Sequence, residues 1–220
     1  MILQQPGAFL FDLNGTMIDD MHYHVRAWHR IVNELGANLT YNQVKEECYG
    51  KNQELLERVF PGRFNEEEKD KLSMEKEKQY QAEFRPYLQL IKGLEPFLQQ
   101  ARESGIKLAI GSAAILFNID FVLDGLDLRD YFDAIVSADD VATSKPDPET
   151  YLECARRLGI PPEQCIVFED SPKGVESAAN AGMKAVVITT LDPEEAFAQY
   201  DNVIAFISDY TSLLIEDLVA

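Results

Sequence analysis

Four short stretches of this chain carry side chains whose types could work together chemically. They are Asp12-Leu13-Asn14-Gly15-Thr16, then Ser112, then Lys145 within Ser144-Lys145-Pro146-Asp147-Pro148, and finally Glu169-Asp170. A carboxylate such as Asp12 can accept a phosphoryl group as a nucleophile, forming an aspartyl phosphate. Asp12, Glu169 and Asp170 are hard oxygen ligands of the kind Mg²⁺ favours, and three carboxylates close together repel one another without a cation. Ser112 and Lys145 are donors for phosphoryl oxygens, and the lysine balances the charge that spreads over them during transfer. Taken singly, each stretch has a plain structural reading. Asp12 caps a turn, Ser112 caps a helix, Lys145-Pro146 lies in a surface loop, and Asp170-Ser171 starts a helix at Pro172. Those readings leave unexplained why all four occur in order, each after its own strand.

Periodicity identifies the elements that must position them. Ala8-Phe9-Leu10-Phe11 is an apolar run broken by Gly15 and Thr16, which reads as a buried parallel strand delivering Asp12 to the carboxyl edge of a sheet. Apolar runs at 107–112, 134–137, 165–168, 185–188 and 203–206 read as further strands. Helical patterns fill 94–104, 117–126, 148–158 and 172–181, and a closing helix is expected near 210–219. From 17 to 87 only helices are expected: 19–35, a start at Thr40, 53–60, and a charged stretch at 65–87 that reads as exposed. The alternation predicts an α/β fold, a doubly wound parallel sheet, with an inserted all-helical domain as a cap over the carboxyl edge. The expected core domain is 1–16 with 88–220, and the helical cap is 17–87.

In this order the motifs resemble those of the haloacid dehalogenase superfamily of phosphotransferases, along essentially the whole chain. Phe11-Asp12-Leu13-Asn14-Gly15-Thr16 is similar to the family's first motif, Ser112 to the second, Lys145 to the third and Glu169-Asp170 to the fourth. The resemblance implies a Rossmann-like core, Asp12 as the phosphorylated nucleophile, and Ser112 and Lys145 as partners of the phosphoryl group. It also implies Mg²⁺ bound by Asp12, the backbone carbonyl of Asn14 and Asp170, with Glu169 counted in the metal set. The insertion is similar to the cap of the β-phosphoglucomutase and sugar-phosphatase branch, and Tyr23-His24-x-x-Ala27-Trp28 adds to that likeness. By the same likeness Thr16, His24, Gly50, Lys51, Gln53, Lys76 and Ala113 are assigned to the substrate. Without the family, His24 reads as a structural histidine, and Lys76, inside Glu75-Lys76-Glu77-Lys78, as part of a solvated face.

Two positions depart from the family pattern. Asn14 stands where the family has an Asp that protonates the leaving group and then deprotonates the attacking water or hydroxyl. An amide does neither, and a general acid/base contributes about 10²–10⁴-fold. Asn14 is read as an engineered substitution that leaves metal binding intact, with a natural non-catalytic relative as the other reading. In the cap loop Tyr49-Gly50-Lys51-Asn52-Gln53, mutases of this kind place a Lys where Tyr49 stands and an Arg where Gln53 stands. Gln cannot reproduce bidentate, charge-assisted contacts to a distal phosphate. The expected activity is hydrolysis of a small phosphate monoester such as a sugar phosphate. A β-phosphoglucomutase and a non-catalytic metabolite- or partner-binding relative are the alternatives.

Composition sets the remaining expectations. The chain has 38 acidic and 20 basic residues, a formal charge of -18, which argues against binding nucleic acid or anionic membranes. An anionic substrate therefore needs a local positive site. Three scattered cysteines, Cys48, Cys154 and Cys165, suit a reducing compartment. Met1 to Gly7 shows no basic segment before a short apolar stretch, so a cytoplasmic protein is expected. No exposed apolar helix face stands out, and a monomer is expected.

Overall fold

In the computed structural model, which describes residues 6–218, β1 (Ala8–Phe11) is buried at every position. The expectations about the first five residues, and about a helix reaching 219, lie outside the described residues. After β1 come four helices, α1 (Met21–Glu34), α2 (Tyr41–Glu47), α3 (Asn52–Val59) and α4 (Glu66–Phe84). Then follow α5 (Leu94–Glu103), β2 (Lys107–Gly111), α6 (Leu116–Gly125), β3 (Ala134–Val136) and α7 (Glu149–Leu158). The chain continues through β4 (Cys165–Glu169), α8 (Pro172–Asn180), β5 (Lys184–Ile188) and β6 (Val203–Ile207).

The six strands form one parallel sheet in the order β3-β2-β1-β4-β5-β6, so β1 sits centrally between β2 and β4. Successive strand residues point to opposite faces, and both faces of β1 are covered. Ala8 and Leu10 join the cluster of Ala109, Val167 and Val187 with Tyr151, Cys154 and Ala155 of α7 and Val175 and Ala178 of α8. On the other face Phe9 stacks on Phe97 of α5 at 5.6 Å between ring centroids, and Phe11 on Phe168 at 4.5 Å. A continuous apolar run is what a strand buried on both faces requires. The doubly wound α/β architecture is therefore as expected. So are all six strands.

By internal contacts the chain forms two units, Asp20–Leu88 and Met1–Asp19 with Gln89–Ala220. The Asp20–Leu88 unit is all helical. Its helix starts carry reciprocal caps: Thr40 with Gln43 at α2, and Asn65 with Glu68 at α4. Val25, Trp28, Ile31 and Val32 of α1 pack with Val44, Leu55 and Leu56.

Two expectations are corrected. The 65–87 stretch is not simply exposed: along α4, Lys69, Ser73, Lys76, Glu77, Tyr80, Gln81 and Phe84 are buried. The buried face of α4 mixes charged and apolar residues, so hydrophobic periodicity does not reveal it. Near the C-terminus there is only a 3-10 turn over Ile215–Leu218 in place of the closing helix. The Tyr210 amide donates to the Lys92 carbonyl and the Thr211 amide to the Asp209 carboxylate, so tertiary and side-chain bonds hold this segment.

Candidate active site

Asp12 follows β1 directly, and its amide donates to the Phe168 carbonyl of β4 at 3.0 Å, extending the ladder by one residue. That bond fixes the carboxylate at the carboxyl edge of the two central strands, where it is 8% exposed. The chain then turns through Gly15, whose φ of 78° lies in the left-handed region. Asn14 is half-buried and bridges to Ile18, and the Gly15 amide donates to the Ile18 carbonyl at 2.8 Å. Thr16 is fully buried and its hydroxyl oxygen has no hydrogen-bond partner.

The other edge residues come from separate strands. Ser112, just after β2, is buried; its amide donates to Val136 of β3 at 3.0 Å and its hydroxyl accepts from the Ala114 amide at 3.1 Å. The hydroxyl proton is still available for donation. Ala113 beside it is half-buried. Lys145, 133 residues from Asp12 in sequence, places Nζ 2.7 Å from Asp12 Oδ1 and 2.7 Å from Glu169 Oε1. Burial lowers the Lys145 ammonium, but the Asp12 and Glu169 carboxylates outweigh it and hold the group charged, above the ordinary lysine range.

Glu169 meets protein donors at both carboxylate oxygens. Its Oε1 accepts from Lys145 and from the Tyr151 hydroxyl at 2.7 Å, and its Oε2 from the Asp170 amide, the Ser171 amide and the Ser171 hydroxyl. Both oxygens thus meet protein donors, and Oε1 holds the Lys145 ammonium. Burial raises its carboxyl, but Lys145 and Tyr151 pull it below the usual range, so it is an anion. Its carboxylate lies against Gly174 of α8, where any Cβ would stand 1.8 Å from the Glu169 carboxyl atoms.

Asp170 is the opposite case. It is 3% exposed, and its Oδ2 is buried without a hydrogen-bond partner. Burial first, then the charges of Glu169 and Asp12, push its carboxyl well above the carboxylate range. An orphaned buried carboxylate oxygen beside a second carboxylate is a position a cation suits. Among the described residues no three His, Cys, Asp or Glu side chains form a closed metal cage. Mg²⁺ takes one or two carboxylates and completes its shell with water and substrate phosphate, and the Asp12 and Asp170 carboxylates are donors of that kind.

The helical unit holds a second polar cluster. His24 of α1 faces Lys76 of α4, with Nδ1 to Nζ 2.6 Å, and its Nε2 lies 3.2 Å from Asp20 Oδ2. Since an ammonium only donates, Nδ1 accepts and Nε2 carries the proton toward Asp20. The Tyr80 hydroxyl also donates to Asp20, and its ring stacks on His24 at 3.8 Å. Lys76 further donates to both Glu77 oxygens at 3.0 and 3.1 Å, and Asn52 donates to Glu77 at 2.6 Å. Lys76 is thus no part of a solvated face; it is 2% exposed. Gly50, with φ of 71°, precedes Lys51, whose amide donates to Glu54, while Gln53 donates to Asp70 at 2.9 Å. The structure therefore joins His24 with Lys76 and sets Gly50, Lys51 and Gln53 at the start of α3. Tyr151, Gly174, Asp20, Glu77 and Tyr80 were not anticipated from sequence. Tyr151 and Tyr80 carry only the signature of core aromatics, and Glu77 is hidden in a charge run.

A parallel sheet that gathers carboxylates, a serine and a buried lysine on its carboxyl edge defines an α/β enzyme built to handle an anionic group. The profile of the haloacid dehalogenase-like hydrolases matches residues 6–182. A phosphorylated carbohydrates phosphatase of Thermotoga maritima is 31% identical over 87% of this chain and 90% of its own length. A β-phosphoglucomutase of Bacillus subtilis is 31% identical over 81% of each chain. Among solved structures, the β-phosphoglucomutase of Clostridium difficile superposes with a TM-score of 0.85 at 26% identity, covering 97% of this chain and 95% of that one. The chain belongs to the haloacid dehalogenase-like hydrolase family. It is an enzyme of the phosphatase and phosphotransferase type. No helix among the described residues is long and apolar enough to cross a membrane.

Proposed function

We propose that this chain acts on small phosphate monoesters of the sugar-phosphate class through Asp12, with Mg²⁺ as cofactor and hydrolysis as the net reaction. The observation that carries this reading is the buried edge cluster: Asp12 fixed by the β4 ladder, Lys145 held against it, and Asp170 with an oxygen that lacks a partner. The named activities of the relatives support the substrate class.

Asp12, the Asn14 carbonyl and Asp170 are the groups that would hold Mg²⁺. An ion held there would neutralise carboxylate charge and supply Lewis-acid polarisation of the phosphoryl group. A carboxylate oxygen of Asp12 attacks phosphorus, and the bond from phosphorus to the substrate's ester oxygen breaks. Lys145 and the Ser112 hydroxyl meet the phosphoryl oxygens as charge moves onto them. The departing alkoxide takes its proton from solvent, since Asn14 has none to give at neutral pH. Water then attacks phosphorus and the bond from phosphorus to Asp12 breaks, releasing inorganic phosphate and restoring Asp12; the water's proton passes to solvent, because here too Asn14 cannot accept it. Asn14 is in our reading a replaced acid/base. The core residues Thr16 and Ala113 and the helical-unit residues His24, Gly50, Lys51, Gln53 and Lys76 remain assigned to the substrate side, with Tyr49 and Gln53 favouring hydrolysis over a mutase that must hold a second phosphate.

Phosphate release from a panel of sugar phosphates with Mg²⁺, compared between this chain and Asn14→Asp, tests the reading. The variant is expected to gain about 10²–10⁴-fold in turnover. Interconversion of hexose monophosphates with a bisphosphate primer in place of release assigns a mutase, and no turnover by either protein assigns a binding protein.

A further inference from the structure

Tyr151 lies in the first half of α7, is wholly buried, and meets Glu169, Lys145 and the residue before Ser112 at once. Its hydroxyl donates to Glu169 Oε1 at 2.7 Å, the same oxygen that receives Lys145 Nζ. Its ring centroid is 4.7 Å from that Nζ, close enough for the ring to attract the ammonium. Its ring edge is also packed against Gly111, the residue before Ser112: a Cβ on Gly111 would stand 3.1 Å from Tyr151 Cε1. From the opposite side, the bare Cα of Gly174 leaves room for the Glu169 carboxylate.

We propose that Tyr151 is a positioning residue for phosphoryl binding: through Glu169 and through its ring face it fixes the direction in which Lys145 presents its ammonium beside Asp12. The inference rests on the reading of this edge as the phosphoryl site. A Lys side chain has four rotatable bonds and a compact charge with no directional fork, so its aim must come from its surroundings. Here the surroundings are the Asp12 carboxylate, the Glu169 carboxylate, which four further protein donors hold in turn, and one aromatic face. Tyr151 contributes to both. A phenylalanine would fill the same space and keep the ring face, but would leave Glu169 Oε1 with Lys145 as its sole donor among these, so that only Oε2 stays anchored by Asp170 and Ser171.

Calorimetric binding of inorganic phosphate with Mg²⁺ tests this on the full chain, without needing turnover. Tyr151→Phe is expected to weaken phosphate binding about fivefold, the scale of one net hydrogen bond. Lys145→Met is expected to weaken it further, and adding Tyr151→Phe to Lys145→Met is expected to change nothing more. That non-additivity is what a residue acting through Lys145 produces and what a merely structural one does not. Gly174→Ala, which displaces Glu169 from the other side, should reproduce the Tyr151→Phe effect and lose it equally in the Lys145→Met background, giving a second route should Tyr151→Phe fold poorly. Binding that depends on Lys145 but ignores both Tyr151→Phe and Gly174→Ala, or effects that persist undiminished without Lys145, overturns the positioning role alone. Phosphate binding indifferent to Lys145→Met overturns the phosphoryl-site reading and the inference with it.

Discussion

Asp170 and Glu169 are neighbours in sequence with opposite fates. Glu169 is surrounded by donors and stays ionised, whereas Asp170 keeps a buried oxygen that no protein group meets. A carboxyl whose folded pKa is raised costs stability once the pH exceeds its ordinary value of about 3.9, and that cost persists at neutral pH in the metal-free protein. Asp170→Asn is therefore expected to stabilise the metal-free chain at pH 7 by about 1–3 kcal/mol. Thermal melts in a chelator would show it as a higher Tm. Millimolar Mg²⁺ should raise the Tm of the parent and leave that of the variant unmoved. A parent that melts identically with and without Mg²⁺ would remove Asp170 from the metal set. The types of these two residues were legible in the sequence, but their division of labour was not. It depends on Lys145 and Tyr151, which come from a different part of the chain.

The elements show how the C-terminal segment supports the site without forming the helix that periodicity suggested. Tyr210 is buried, its amide bonds to Lys92 just before α5, and its hydroxyl donates to the Thr16 carbonyl at 3.0 Å in the loop after β1. The close approach is possible because Gly93, the residue preceding α5, has no side chain. A Cβ there would stand 2.6 Å from the Thr211 nitrogen, and its φ is 83°. Gly93→Ala thus combines a backbone clash with left-handed strain and is expected to cost about 2–4 kcal/mol. Urea unfolding should show a lower midpoint with an unchanged m-value, since the same surface is exposed on unfolding. A midpoint within error of the parent would mean that the Tyr210 segment is not held against α5. Strands and most helices were visible from apolar spacing because each presents a regular face to a core. A segment held by tertiary bonds to Lys92 and Thr16 has no such period.

At the scale of the whole molecule the charge is unevenly shared. Of the 38 acidic and 20 basic residues, 20–88 holds 13 and 11, so nearly all of the formal charge of -18 belongs to the α/β unit. Self-repulsion in that unit opposes folding, and Lys145 sits among carboxylates in it as a buried cation. Raising NaCl from about 10 mM to about 0.15 M, which shortens the screening length from about 30 to about 8 Å, is expected to raise the Tm by a few degrees. A Tm that falls with salt would show that surface ion pairs outweigh the repulsion. By itself the amino-acid sequence determined the six strands, the helical block between the first two motifs and the residue types at the sheet edge. Those features are local: apolar period sets which face a segment buries, and Gly, Thr and Asn set where it stops. Only the tertiary structure decided that Lys145 bridges Asp12 and Glu169, that Tyr151 stands behind that bridge, and that Lys76 and Glu77 are buried against His24 and Asn52. Such meetings are set by parallel register and helix packing across as many as 133 residues. No local period records them.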